Sequence, residues 1–361
     1  MNVGVIGSGA ISDIYLKNMI EKYPNLTVKA VASKHIENAR KKAEKYGIQA
    51  CTVEELLGNP EIGMAVVLTP VGTHYELIRQ ALLAGKHVYT EKTISDSVEK
   101  ARELLTLANE RGLMLGSAPD TFLGAAWQKA RELLDGGAIG EVQSFALSAN
   151  RCNDILLNWF RFLREPGCGL LYDYGVYYLT CLCNLLGAVN RVIGICRNPY
   201  PNRRNPVPDA PDYGAEFVFP NESQVSAILE LESGVTGTLH MNAESLMSDQ
   251  AFFAIYGTKG ILYLTDPNGF GGTVRIAVNN EKITLPPGPE KVTTYETSDE
   301  NLRGIGPSDL AEAIEKGTGN RASKEMAFHV LEVLNGILKS SEAGGEPVKI
   351  ASTAERPAPL G

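Results

Sequence analysis

Met1-Asn2-Val3-Gly4-Val5-Ile6-Gly7-Ser8-Gly9-Ala10-Ile11-Ser12-Asp13-Ile14-Tyr15 is the stretch from which the rest of the chain can be read. Val3, Val5 and Ile6 form a short β-branched apolar run of the kind a buried parallel strand shows. It runs straight into Gly7-Ser8-Gly9-Ala10-Ile11-Ser12. In a dinucleotide-binding turn the first glycine permits the tight bend, and the second lets the backbone approach a pyrophosphate at the start of the next helix. The third glycine position holds Ser12, so the fingerprint is incomplete. Its context strengthens it: Ile14, Leu16, Met19 and Ile20 have helical spacing, and a second apolar run, Val28 to Ala32, stands where the next strand belongs. The expectation is a nucleotide-cofactor site at Gly7, Gly9, Ala10 and Ile11, with a plain strand-to-helix turn as the alternative.

Outward from this turn, strand and helix alternate as far as Pro119, the signature of a parallel sheet covered on both faces. The spacing predicts helices over Ile36–Tyr46 (closed by Gly47), Thr52–Leu57, Glu76–Ala84 and Ser97–Arg111, and strands over Ala65–Leu68, His87–Tyr89 and Leu113–Gly116. After the second strand an acidic residue would accept from a ribose 2′-hydroxyl and repel a 2′-phosphate. Ser33-Lys34 stands there instead, a hydroxyl and a cation that suit NADP better than NAD, unless Lys34 is only a solvated helix-start residue. Two further loops fall at the carboxyl edge of the sheet, where such sheets bind ligands. One carries Thr69, Pro70 and His74, the other Thr90-Glu91-Lys92-Thr93. A lysine there can hydrogen-bond a substrate oxygen and tune a neighbouring acid/base.

A length of 361 residues favours two domains, and a formal charge of −8 without a basic stripe argues against nucleic acid or an anionic membrane as partner. A first strand starting almost at Met1 leaves no room for a signal peptide, so a cytoplasmic location is expected. The six cysteines lack paired C-x-x-C spacing and are expected as reduced thiols. Cys181-Leu182-Cys183 has no nearby histidine, and no metal site is expected.

Beyond a boundary near 119 the pattern changes. Trp127–Leu134 reads as an amphipathic helix. Val142–Ala149, Val189–Arg197, Gly214–Val218, Gln224–Glu232, Val235–Asn242, Ala251–Gly257 and Gly260–Thr265 read as strands, several with the alternation of an antiparallel sheet covered on one face. Between them, Asn158 to Thr180 has a Pro166–Gly169 loop followed by helical periodicity over Leu170–Leu186, broken at Gly175. Asp173 and Tyr177 are four apart and share a face; with a lysine from the first domain they would form a proton-transfer group, although helical tyrosines also serve as core packers. The segment 191–212 is Pro-rich and reads as a surface loop, and 266–303 as turn-rich. Ser308–Glu315 and Glu325–Ser340 read as helices, and Glu346–Gly361 as a tail. The organisation expected is a Rossmann domain over 1–119, an α/β domain with an open, mainly antiparallel sheet over 120–345, and a tail over 346–361.

Val3-Gly4-Val5-Ile6-Gly7-Ser8-Gly9-Ala10-Ile11, the Thr69-Pro70…His74 loop, Ala84-Gly85-Lys86-His87-Val88 leading to Glu91-Lys92, and Gly169…Asp173-x-Gly175 together resemble the Gfo/Idh/MocA oxidoreductases, most specifically between residues 60 and 95. The resemblance implies that Lys92 matches the lysine of a Glu-Lys-Pro motif. It also implies that Asp173 and Tyr177 fall on an Asp-x-Gly-x-His pattern, and that the sheet of the second domain pairs copies into a homodimer or homotetramer. Many members have histidine at the Tyr177 position and aspartate at Thr180. Tyrosine marks the glucose-fructose oxidoreductase and dihydrodiol dehydrogenase branches, which favour NADP. Thr93 departs from the family proline, and either keeps its peptide bond trans and shifts Lys92, or holds a costly non-proline cis bond.

The function expected is hydride transfer between a secondary alcohol of a sugar, cyclitol or glycoside and a nicotinamide, with Lys92, Tyr177 and Asp173 in proton transfer. Asp120, Asn158, Trp159 and Arg161 are candidates for the substrate wall; Trp159 could stack on a sugar ring or simply pack in the core. Two rivals stand beside it, a retained-cofactor enzyme that cleaves a glycosidic bond and a non-catalytic cofactor sensor.

Overall fold

The structure, a computed structural model, describes residues 1–165, 167–245, 251–279 and 291–360. Pro166 of the expected Pro166–Gly169 loop, residues 280–290 of the turn-rich stretch and Gly361 lie outside the described residues. The chain forms two compact units, Met1–Leu123 with Asn301–Leu331, and Gly124–Glu300 with Glu332–Gly361.

The first unit alternates β1 (Asn2–Ile6), α1 (Ala10–Glu21), β2 (Thr27–Ala32), α2 (Ile36–Tyr46), β3 (Gln49–Cys51), α3 (Val53–Gly58), β4 (Met64–Val67), α4 (His74–Leu83), β5 (His87–Thr90), α5 (Val98–Glu110) and β6 (Leu115–Ser117). Thr52 and Glu55 form a reciprocal capping box that starts α3, and Gly47 in the left-handed region (φ 67°) ends α2. β4 is buried along its whole length, as a strand with helices on both faces must be. Among the described residues the parallel sheet has the order β3-β2-β1-β4-β5-β6. The order reverses between β1 and β4, so the loops leaving those strands diverge at the carboxyl edge, the ligand position of a doubly wound sheet.

The second unit contains α6 (Ala125–Asp135), β7 (Val142–Asn150), α7 (Asn153–Trp159), α8 (Val176–Leu186), β8 (Val189–Arg197), β9 (Asn202–Arg204), β10 (Glu216–Val218), β11 (Gln224–Leu231), β12 (Thr236–Asn242), β13 (Phe252–Gly257), β14 (Gly260–Leu264), β15 (Gly272–Val278) and β16 (Lys291–Thr297). Two helices follow, α9 (Ile305–Lys316) in the first unit and α10 (Lys324–Glu342), within which the division between units falls. The last strand is β17 (Val348–Lys349). The large sheet of the second unit runs β16-β15-β14-β13-β7-β12-β11-β8-β17 among the described residues. Its pairs are antiparallel except β7 with β12. β7 and β11 alternate buried and more exposed positions, the record of a sheet covered on one face. α8 is buried from Val176 to Leu185 and ties to β7 through Tyr178 Oη, which donates to Ser148 O at 3.0 Å.

Several expectations need correction. The units divide after Leu123 rather than at 119, and residues 301–331 return to the first unit. Within the turn-rich 266–303 lie β15, which alternates buried Val274 and Ile276 with exposed Thr273 and Arg275, and β16, a mostly polar strand that carries little hydrophobic signal. The stretch expected as a strand over Gly214–Val218 shrinks to β10, which among the described residues pairs with β9 in a separate two-stranded ribbon. Gly175 does not break its helix. A π-helical turn, Leu171–Gly175, runs into α8, and Gly175 is small because an added Cβ would sit 2.9 Å from Leu171 and 3.2 Å from Met241. The expected tail is held, with β17 on the edge of β8 and Arg356 paired with Asp135 at 2.8 Å. Among the described residues no helix is long and apolar enough to cross a membrane.

Candidate functional site

Gly7 has φ 122°, and a Cβ there would lie 2.6 Å from the Leu68 carbonyl oxygen, so only glycine fits where β1 turns toward α1. Its amide donates to Ala32 O at 2.9 Å. Gly9 is the N-cap of α1 with no side chain capping it, and the space around its Cβ position is open to 4 Å. An exposed helix start with no side-chain cap is able to hold an anion at the Ala10 and Ile11 amides, and its shape is compatible with the pyrophosphate of a dinucleotide. Ser12 fills the third glycine position while fully buried: its amide and its hydroxyl both donate to Gly9 O, at 3.1 and 2.7 Å. The turn is thus closed by a serine instead of being opened by a glycine.

At the exit of β2, Ser33 accepts a hydrogen bond from Ser8 Oγ at 2.9 Å, joining the expected specificity residue to the glycine loop, and Lys34 is exposed beside it. Asp13, in the first turn of α1, binds α2 through Lys42 at 2.5 Å, Lys45 at 2.9 Å and Tyr46. Partial burial works against its charge, yet these hydrogen bonds hold its carboxyl at about 2.

The loops after β4 and β5 are stapled by His74, a fully buried side chain. Its Nδ1 lies 2.8 Å from Thr93 O and its Nε2 2.7 Å from Thr69 O. Burial lowers its pKa, and the two carbonyls pull the other way. His74 therefore ties the two loops to each other. Thr73 Oγ1 lies 2.8 Å from both Thr69 Oγ1 and Pro70 O, shaping the rest of that loop. The Lys92–Thr93 peptide is cis. Glu91 accepts from Tyr15 Oη at 2.8 Å with one carboxylate oxygen and from the Lys92 amide at 3.2 Å with the other. A helix residue behind the glycine loop is thereby tied to the lysine loop.

Asp120, expected in the substrate wall, is 2% exposed and its Oδ2 accepts from the Gly306 amide at 3.0 Å, near the start of α9. Burial pushes its pKa up to about 6, against the pull of that amide and of Arg303.

In the second unit, Asp173 lies within the π-helical turn and is half-buried, and Tyr177 follows in the first turn of α8, 8% exposed. Tyr174 donates to the Asp266 carboxylate and lies under the Arg151 guanidinium, 4.2 Å from the ring centre. Asn158 is 9% exposed and near Arg164 Nη2 at 3.4 Å. Trp159, by contrast, is 65% exposed, so core packing does not hold it. Arg161 pairs with Asp212 at 2.9 Å. Within the first unit the structure gathers Gly7, Gly9, Ala10, Ile11, Ser33, Lys34, Thr69, Pro70, Glu91 and Lys92 on loops at the carboxyl edge and the start of α1. Within the second, Asp173 and Tyr177 share one continuous helical run. Reading by spacing missed Tyr15, because a tyrosine on a buried helix face reads as core, and missed the Tyr174–Asp266 pair, whose members are 92 positions apart.

The profile described as "Oxidoreductase family, NAD-binding Rossmann fold" matches residues 1–118, and that of the "GFO/IDH/MocA C-terminal domain" matches residues 127–263. A dTDP-3,4-didehydro-2,6-dideoxy-alpha-D-glucose 3-reductase of Streptomyces violaceoruber is 31% identical over 276 residues, 73% of this chain and 78% of that protein. A trans-1,2-dihydrobenzene-1,2-diol dehydrogenase of Bos taurus is 25% identical over 87% of this chain and 88% of its own length. A levoglucosan dehydrogenase solved in complex with NADH shares the fold, with a TM-score of 0.84, 18% identity, and coverage of 98% of this chain and 99% of that one.

Proposed function

Because the chain belongs to the Gfo/Idh/MocA oxidoreductase family, we propose that this NAD-binding oxidoreductase is a dehydrogenase or reductase of a secondary alcohol in a sugar, cyclitol or glycoside, with NADP preferred. The observation that carries the reading is the bare start of α1 behind Gly7 and Gly9, on the same sheet edge as Lys92. Gly9, Ala10 and Ile11 would hold the pyrophosphate by backbone amides, Thr69, Pro70 and Glu91 the ribose and nicotinamide side, and Ser33 with Lys34 a 2′-phosphate. When bound, the nicotinamide supplies the hydride acceptor or donor.

Tyr177 takes or returns the hydroxyl proton in this reading. A phenol ordinarily titrates near pH 10, so a base at neutral pH needs a cation to stabilise its phenolate, a role assigned to Lys92. Asp173 orients a substrate hydroxyl or shares the proton, while Asn158, Trp159 and Arg161 form the wall, with the exposed indole suited to a sugar face. The open face of the large sheet carries Ile195 and Ile228, 58% and 52% exposed, on the paired strands β8 and β11, and we place a homo-oligomer contact there, testable by light scattering.

The test is the appearance of reduced cofactor when the purified protein meets sugars, inositols and glycosides with NADP⁺ or NAD⁺ in parallel. Turnover with one substrate class and a preference for NADP⁺ is expected. Silence across the panel with dinucleotide co-purifying would favour the retained-cofactor reading, and silence with exchangeable dinucleotide the sensor.

A further inference from the structure

The π-helical turn that bears Asp173 is gripped at its start by a dipeptide that neither the fold nor the proposed reaction has yet used. Asn221 and Glu222 precede β11 and face the segment that leads into the turn. Asn221, 8% exposed, accepts from the Gly167 amide at 2.9 Å and donates to Glu165 O at 2.7 Å. Glu222 takes over where Asn221 ends. Its carbonyl accepts from the Leu170 amide at 3.2 Å and its Oε1 from the Leu171 amide at 2.9 Å. Those amides open the helical run, where no residue of the preceding turn can accept from them. An anion at that point also meets the positive end of the helix.

Gly169 explains why the grip needs a particular sequence on both sides. A Cβ built on Gly169 would lie 2.0 Å from one carboxylate oxygen of Glu222 and 2.1 Å from the other, so any side chain at 169 would expel the carboxylate. The Gly169 carbonyl accepts from the Asp173 amide at 2.9 Å, so the same residue sets the first bond of the turn. Further along the turn, Tyr174 is fixed to Asp266 and stacked under Arg151. The turn is held at both ends, with Asp173 between these holds and Tyr177 one helical turn beyond it. Local π-turns recur at functional sites because the extra residue re-aims side chains.

We infer that Glu222, with Gly169 beneath it, is a positioning residue for proton transfer: its carboxylate fixes the start of the π-helical turn and so the direction in which Asp173 and Tyr177 present their polar groups. This rests on the assignment of Asp173 and Tyr177 to proton transfer. Glu222 acts only through the helix it starts.

The experiment compares Glu222→Ala, Gly169→Ala, their double variant, Glu222→Gln and Tyr177→Phe, each assayed with the panel substrate that the wild-type protein turns over. Glu222→Ala and Gly169→Ala are each expected to lower kcat about 10- to 100-fold, the effect of displacing a catalytic group by about an ångström, with the KM for the dinucleotide unchanged. Since both act by removing one carboxylate from the Leu171 amide, the double variant should fall no further than either single change. Glu222→Gln keeps an acceptor for the Leu171 amide and should recover turnover to within a few-fold of wild type. A general loss of fold would instead move dinucleotide KM and kcat together and would not be recovered by Gln. If Tyr177→Phe abolishes turnover while Glu222→Ala leaves kcat intact, or if the two alanine effects multiply, the positioning inference is overturned. If Tyr177→Phe turns over normally, or the wild-type protein turns over nothing in the panel, the reading beneath it falls instead.

Discussion

Replacing Asp120 by Asn should make the protein more stable at neutral pH and flatten part of its acid profile. The carboxyl is 2% exposed, its pKa is raised from 3.8 to about 6, and burial is the leading cause. A carboxyl whose folded pKa exceeds its unfolded one binds more protons folded than unfolded. Its contribution therefore turns against folding as pH rises from about 3.8 to about 6, and stays unfavourable above that window. About two pKa units correspond to about 3 kcal/mol at pH 7.5. Asn removes the charge yet keeps an oxygen for the Gly306 amide. The charge-assisted part of that bond, about 1 kcal/mol, offsets some of the gain. The net expectation is about 1–2 kcal/mol of added stability at pH 7.5, falling toward zero or below at pH 4, read as the difference in Tm between variant and wild type across pH by calorimetry. Parallel Tm curves for the two proteins would refute the reasoning. So would an Asp120→Asn variant with normal stability and a raised substrate KM, which would return Asp120 to the substrate wall.

Gly7→Ala forces φ 122° on a residue with a Cβ and drives that atom to 2.6 Å from a strand carbonyl, so a loss of about 3 kcal/mol or more and no measurable dinucleotide binding by calorimetric titration are expected. Retained binding would mean that the loop bends some other way. Lys34→Asp should lower kcat/KM with NADP⁺ by about tenfold or more while sparing NAD⁺, through repulsion of a 2′-phosphate; equal losses with both cofactors would detach Lys34 from specificity. Tyr177→Phe should leave dinucleotide affinity unchanged and reduce kcat by at least about 100-fold, the usual worth of a positioned acid/base.

The first unit was legible because its signals are local. A buried strand must be apolar along its length, and Val3, Val5 and Ile6 are; a helix end wants a left-handed glycine, and Gly47 supplies it at φ 67°. Ser33, Glu91 and Lys92 could be placed at the sheet edge for the same reason, as residues directly following strands. What stayed hidden is contact between residues distant in sequence. Asp120 reads as a candidate for the substrate wall, and nothing near it in sequence announces the Gly306 amide, 186 positions on, to which it is bound. His74 reads as part of a ligand-binding loop, while its burial between Thr69 O and Thr93 O depends on two strands lying side by side. The π-helical turn was misread at Gly175 because a glycine in a helical pattern suggests a break, whereas here Leu171 and Met241 leave no room for a Cβ.

The acidic residues around these loops share a use that their charge alone would not suggest. Glu91 accepts from Tyr15 and from the Lys92 amide, Asp120 from the Gly306 amide, Glu222 from the Leu171 amide, and Asp266 from Tyr174 and the Asn268 amide. Loops at strand exits and helix starts carry amides that no ladder satisfies, and leaving one buried and unpaired costs about 1–3 kcal/mol. A carboxylate satisfies such amides with two oxygens and fixes the direction of the side chains next along the chain. Two of these four carboxylates stand directly beside or just ahead of a proposed proton-transfer group, Glu91 before Lys92 and Glu222 behind Asp173. Removing the Glu222 side chain should therefore perturb kcat more than cofactor affinity, whereas neutralising Asp120 should register in stability alone. Carboxylates with the same chemistry thus differ in use according to the side chain that comes next after the amide each one holds.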